Sequence, residues 1–200
     1  PLDWRRVVDW LKEDGVITSE EARRTVARCS QAESHQHPLV RLASVAMARA
    51  EGGRALSLEE LTEYVARHSG LAYLRIDPLK VDVGRVAEAM SANYAERHKV
   101  LPVQVTPQEV VVATAEPFID DWVAEVERQA KRSVRRVLAN PQDITRYMAE
   151  FFALAKSVRA AQKAGGSSAG SNFEQLVELG KTGRQLDAND QGVIRVVDWL

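Results

Sequence analysis

Residues 100–115 read "VLPVQVTPQEVVVATA". Two β-rich runs, 100–105 and 109–115, flank Thr106-Pro107-Gln108, which is the arrangement of a hairpin. The unbroken valines of the second run predict a strand buried on both faces. Glu116-Pro117 breaks it. Working outward, Asp120 or Asp121 is placed to cap a helix carrying Ile119, Trp122, Val123 and Val126. "SVRRVLA" predicts a further strand, and Asn140-Pro141 is a cap followed by proline at the first helical position. The helix it starts has Ile144, Tyr147, Met148, Phe151, Phe152 and Ala155 on one broad face and is expected to run to about Lys163. Upstream, "LAYLRID" (71–77) reads as a strand, and Asp82 caps a helix with Val83, Val86, Ala87 and Met90 on one side. Mixed strands and helices in this order predict an α+β fold, a small α/β sandwich with a mixed sheet of about four strands.

The chain before Leu71 is helical in pattern. Asp3 caps a first helix with Trp4, Val7, Val8 and Leu11 on one face, and Gly15 ends it. Thr18-Ser-Glu-Glu21 is a capping box opening a second helix, with Ala22, Val26 and Cys29 turned inward. "LVRLASVAMARA" reads as a third helix closed by Gly52-Gly53. Ser57-Leu-Glu-Glu60 is a second capping box, and its helix ends near Gly70. The reading divides the chain into a helical subdomain at 1–56 and an α/β domain at 57–164. "GGSSAGSN" (165–172) opens a flexible linker that extends to 190 and contains a short helix. A C-terminal helix is expected from 191.

Composition narrows the function classes. The chain has 200 residues, 45% hydrophobic and 28% charged, enough apolar content for a real core. Its 27 basic and 28 acidic residues leave a formal charge of −1, so no long-range field draws it to nucleic acid or an anionic membrane. One cysteine excludes an intrachain disulfide framework and fits a reducing compartment. No run approaches the roughly 20 apolar residues of a spanning helix, and the expected location is cytosolic. Pro1 at the first position leads to an expectation of residues upstream.

Gly180-Lys181-Thr182 has the ending of a phosphate loop, G-x-x-x-x-G-K-[ST]. The position that needs the first glycine holds Gln175, and Phe173, Leu176, Val177 and Leu179 before it form a helical apolar face rather than a strand. Gly180 is therefore expected to end a helix, and the chain itself is not expected to be an enzyme.

The block from Ser57 to Phe152 resembles the N-terminal domain of the assembly ATPases of type II secretion systems and type IV pili. The matching pieces are "HSGLAYLRIDPL", "AERHKVLPVQVTPQEVVVATAEPFIDD" and "RRVLANPQDITRYMAEFF". "DGVITSEE" extends the likeness to the N-terminus, and "VIRVVDWL" resembles the helix that precedes the family's ATPase core. The resemblance implies a non-catalytic docking and regulatory region. It would hold a hexameric motor to the cytoplasmic domain of an inner-membrane platform protein and would also meet its own ATPase domain. ATP and Mg would bind in that following domain, expected past Leu200. The implied location is cytoplasmic, peripheral to the inner membrane through a protein partner, with no membrane insertion. Trp10 lies off the apolar face of the first helix and is the best docking anchor, its other role being packing against the α/β domain.

Some members of this family bind cyclic di-GMP through two tandem motifs that begin Arg-Leu-Gly and end in glutamine. Aligned on Gly15, the first motif begins at Arg6 and the second at Arg41. Val8 and Ala43 replace the glycines, Cys29 stands where glutamine is expected, and His68 stands near the end of the second. Arginine can stack on guanine and pair with phosphate, but the missing glycines remove close backbone approach. Cyclic di-GMP sensing through Arg6 and Arg41 is therefore the alternative function.

Three weaker signals remain. His35 and His37 make a two-ligand pair on a polar loop, short of a metal site. "KRSVRR" (131–136) is a solvated run at a helix end and edge strand. Cys29 lies on an apolar helical face and is expected to be core.

Overall fold

The computed structural model describes residues 1–31 and 34–186, with side chains to residue 163. The chain divides into two units, Pro1–Ala155 and Lys156–Leu200. The first begins with α1 (Trp4–Glu13), α2 (Ser19–Ser30), α3 (Pro38–Ser44) and α4 (Leu58–Ser69). There follow β1 (Ala72–Tyr73), a 3-10 turn at Pro78–Lys80, α5 (Val83–Ala89), α6 (Ala92–His98), β2 (Val100–Val105), β3 (Glu109–Thr114), α7 (Val123–Ala130) and β4 (Ser133–Leu138). α8 starts at Pro141 and is helical to Leu186.

The sheet has the order β1-β4-β3-β2, with β2 antiparallel to β3 and both β1 and β3 parallel to β4. The 100–115 stretch is thus the expected hairpin, and the mixed four-stranded sheet is observed. β3 is buried along nearly its whole length because helices and the 74–81 segment cover its faces. Two hydrophobic clusters fill the unit. One, built on the sheet, includes Val110, Val112, Trp122, Ile144 and Phe151. The other gathers Val7, Val8, Leu11, Leu39, Leu61 and Val65 of the helices, together with Leu138 of β4.

The caps form as read at Asp3, Ser57, Asp82 and Asn140, whereas at Thr18 only half of the expected box forms, since Thr18 Oγ1 accepts from the Glu21 N–H but Glu21 Oε1 accepts from the Ala48 N–H. The capping box at Ser57 is complete. Ser57 Oγ accepts from the Glu60 N–H at 3.2 Å, and Glu60 Oε2 accepts from the Ser57 N–H at 2.9 Å. The hydrogen bond from Arg54, then that from the Ser57 N–H, holds the Glu60 carboxyl down at about 2, against a smaller effect of burial. A folded-state value below the ordinary 4.5 adds stability that is complete above pH 4.5 and disappears as pH falls toward 2. Glu60→Gln should therefore lower the melting temperature at pH 7 and flatten its fall between pH 4.5 and 2, as a pH series of thermal melts would show. Ser57→Ala should cost about 1 kcal/mol.

Several expectations are corrected. The third helix ends at Ser44, not Ala50. Ala46 turns left-handed (φ 51°), Met47 is fully buried, and Ala48 pairs with Ala55 across the Gly52-Gly53 turn, with φ of 75° and 62°. Glycines suited to positive φ close a small hairpin there rather than cap a helix. On α2, Thr25 rather than Val26 faces inward (1% against 36% exposed), since Ala22, Thr25 and Cys29 keep helical phase. The strand at 71–77 pairs only over Ala72–Tyr73. α6, opened by Ser91, went unread. Neither Asp120 nor Asp121 caps α7. Trp122 stands at its start without a side-chain cap, buried to 2% exposure, so packing sets the start. β4 is second in the sheet order, not its edge, and β1 flanks only its last two residues. The Val134 N–H on β4 donates instead to Glu127 Oε1 at 3.0 Å.

α8 continues through 165–172, where a linker was expected, and through Gly180, where a helix end was expected. A nucleated helix propagates one hydrogen bond per residue, and each interior glycine costs only about 1 kcal/mol. Gly180-Lys181-Thr182 thus lies in helical backbone and not in a loop. The expected C-terminal helix at 191–200 lies outside the described residues.

Candidate functional site

α1 buries Trp4, Val7, Val8 and Leu11. That phase turns Arg6, Trp10 and Asp14, each one helical turn from the next, toward another side. α4 answers with Tyr64 and His68, also one turn apart. The indole of Trp10 stacks on the His68 imidazole, with centroids 4.9 Å apart and planes 11° from parallel. Phe118, from the loop after β3, meets Trp10 edge-on at 6.3 Å. The Arg6 guanidinium lies 5.1 Å from the Trp10 ring and 5.7 Å from Phe118. Below them, Asp14 Oδ2 accepts from the Tyr64 hydroxyl at 2.7 Å and sits 2.8 Å from His68 Nε2.

These hydrogen bonds, Tyr64 first and His68 second, hold the Asp14 carboxyl below its ordinary value against burial. Burial, with Asp14 as acceptor, raises the Tyr64 hydroxyl well above the ordinary tyrosine range. The carboxylate therefore fixes the imidazole on which Trp10 rests. Phe118 remains 45% exposed and Trp10 half-buried. The result is a partly exposed aromatic and cationic surface, of the composition enriched at protein interfaces. Trp10 thus packs on α4 and touches the sheet-side loop through Phe118. Sequence reasoning missed His68 and Phe118 as its neighbours; the signal for Phe118 was an aromatic directly after the strand-breaking Pro117.

Arg6 and Arg41 belong to different groups. Arg41, half-buried on α3, donates to the Cys29 carbonyl oxygen and lies 5.2 Å from the Trp4 ring, with Arg5 4.3 Å from the same ring. Trp4, Arg5, Cys29, Ser34 and Arg41 line a cavity of about 350 Å³. Burial raises the Cys29 thiol, against the nearby Arg41 charge, so it is a poor nucleophile. Val8 is 1% exposed in the helical core.

His37 is not a solvated loop residue. Its Nδ1 accepts from the Leu39 N–H at 3.2 Å at the start of α3, and its Nε2 meets the Ala115 carbonyl at 3.1 Å. The imidazole thus serves as the cap of α3 and ties it to the end of β3. Among the described residues no group of three or more His, Cys, Asp or Glu could hold a metal ion. Among the same residues no helix is long and apolar enough to cross a membrane.

Residues 69–158 match the MshEN domain family. The chain is 29% identical over 205 residues to the type IV pilus assembly ATPase TfpB of Acinetobacter baylyi, covering all of this chain and 34% of that protein. The chain thus spans about a third of the length of this curated relative. A solved structure of MshE with cdg (cyclic di-GMP) superposes with a TM-score of 0.53 at 15% identity, over 72% of this chain and 97% of that one. At that identity the likeness is one of fold.

Proposed function

We propose that the chain is the N-terminal region of a secretion or pilus assembly ATPase and docks such a motor to the cytoplasmic domain of an inner-membrane platform protein; the MshEN match over residues 69–158 and the likeness to TfpB support this reading. The observation that carries the proposal is the Trp10 surface. Two aromatics and a guanidinium are held half-exposed by a carboxylate–imidazole–hydroxyl network, on a region with helical backbone at its one phosphate-loop-like stretch. Aromatic and arginine anchors of this kind dominate interface energetics.

In this reading the region works at the cytoplasmic face of the membrane through its protein partner, without inserting. ATP and Mg bind in the motor's own ATPase domain, which this region also contacts. The divisions at 56/57 and 164/165 are then the ends of the helical part and of the α/β part that carries the MshEN match, and the docking surface draws on both, Trp10 from the first and His68 and Phe118 from the second. The test is calorimetric titration with the cytoplasmic domain of the platform protein from the same system. Trp10→Ala and Phe118→Ala should each weaken binding about ten-fold or more. Unchanged affinity in both would remove this surface from the proposal, and no binding by the native chain would sink docking itself.

Cyclic di-GMP sensing is the second reading. It is favoured by Arg41 standing with Trp4 and Arg5 around a cavity, since guanidinium and indole together suit a guanine phosphate. Val8, buried in the core, and the separate placing of Arg6 do not favour it. Titration with cyclic di-GMP decides it: saturable binding lost in Arg41→Ala supports sensing, and no heat removes it.

A further inference from the structure

We infer that the cleft between the start of α3 and the first turns of α8 binds a small organic phosphate, a phosphate ester carried on a compact apolar body. The cleft has a volume of about 710 Å³, within the range of small-molecule sites, roughly 300–1,000 Å³. Pro38, Val40 and Pro141 supply an apolar wall, and Lys99, Gln142 and Arg146 supply polar groups. A cavity of this size with apolar walls and few convergent polar groups is the usual form of a ligand site.

The charges in the cleft are available in a telling way. Lys99 is exposed and makes no ion pair among the described residues. It caps α6 in the left-handed region, φ 53°, where glycine would sit without strain. Lys99 lines the cleft from that position. Arg146 pairs with Glu150 at 3.1 Å, but both side chains are more than half exposed, and such a pair yields readily to a competing anion.

Glu116, the one carboxylate in the lining among the described residues, is already engaged. Its Oε2 accepts from the Leu2 N–H at 2.7 Å, and its Oε1 lies 3.5 Å from His37 Nε2. Burial pushes its carboxyl up, and the bonds from His37 and Leu2 outweigh this and hold it below its ordinary value. His37 is occupied as the α3 cap. The Arg146 guanidinium lies 4.9 Å from the ring of the buried Tyr147, which leaves its N–H edge to Glu150 or a competing anion, so two cations, one a point charge and one a planar fork, face the cleft. That pair suits a phosphate better than a single carboxylate.

The inference uses neither the docking surface nor Arg6 and Arg41. Its test is calorimetric titration of the chain with phenyl phosphate, with phenol and inorganic phosphate as separate arms. Phenyl phosphate should bind saturably, more tightly than either fragment, and more weakly as salt rises. Lys99→Ala and Arg146→Ala should each weaken it about ten-fold, while Arg6→Ala and Arg41→Ala leave it unchanged. Val40→Trp, which fills the apolar wall, should abolish binding while circular dichroism stays native. Absence of saturable binding overturns the inference. So does native affinity in the Lys99→Ala/Arg146→Ala double variant, or retained binding in a folded Val40→Trp protein.

Discussion

Leu138→Ala is expected to destabilise residues 1–155 by about 3 kcal/mol. Leu138 has no exposed surface and ends β4. Its neighbour Val137 belongs to the sheet-based cluster, whereas Leu138 itself belongs to the helical one. Its carbonyl also accepts from the Leu74 N–H at 2.8 Å, which holds the segment after β1 in place. Truncating the side chain removes apolar contact and leaves a cavity that a two-sided packing cannot close easily. Because Leu138 sits in the helical cluster next along β4 to Val137 of the sheet-based one, the loss should appear in both. Urea melts would give the size of the effect, and amide exchange would give its distribution. Protection should fall together in α1, α4 and β3. A fall confined to α1, α2 and α3 would mean that residues 1–56 unfold on their own, as the boundary read from the sequence implies.

Trp122→Ala should cost about 3–5 kcal/mol, the largest effect expected for a single substitution here. Trp122 is 2% exposed and precedes α7 where a side-chain cap would ordinarily stand. Its indole N–H donates to the Ile119 carbonyl at 3.2 Å, and its own carbonyl accepts from the Tyr94 hydroxyl at 3.3 Å. Burial, then the bond to Glu125, pushes the Tyr94 hydroxyl up to about 12. The side chain thus supplies core volume and fixes the turn that starts the helix, while the backbone carbonyl it positions links to α6. Asp120→Ala and Asp121→Ala, by contrast, should each stay within about 0.5 kcal/mol, since neither makes a cap. If Asp120→Ala cost as much as Trp122→Ala, capping rather than packing would start α7.

What could be read without coordinates were features with a local cause. A cap needs one polar side chain and the N–H groups two or three residues on. Asp3, Ser57, Asp82 and Asn140 therefore announced their helices. The hairpin at 100–114 was legible because period and turn chemistry act over a few residues, and the burial of β3 was legible in its run of valines. The long apolar face of α8, Ile144 to Ala155, was visible for the same reason. The candidate docking surface was half legible: Trp10 stood out because helical phase alone puts it off the buried face.

The rest depended on partners distant in sequence. That β4 inserts between β1 and β3 follows from parallel pairing across intervening helices, which leaves no mark in neighbouring residues. Met47 leaves helical phase because a buried site and a glycine turn eight residues from Ser44 reward it more than another helical turn would. Phe118 and His68 meet Trp10, and Arg6 and Arg41 join different groups, only through packing. The sequence by itself determined where the capped helices α1, α2, α4, α5 and α8 begin, the hairpin of β2 and β3, and the buried faces of α1 and α8, since those rest on interactions a few residues long. Tertiary structure decided the sheet order, the lining of the cleft and the company each arginine keeps, since those energies arise only once remote segments share one volume.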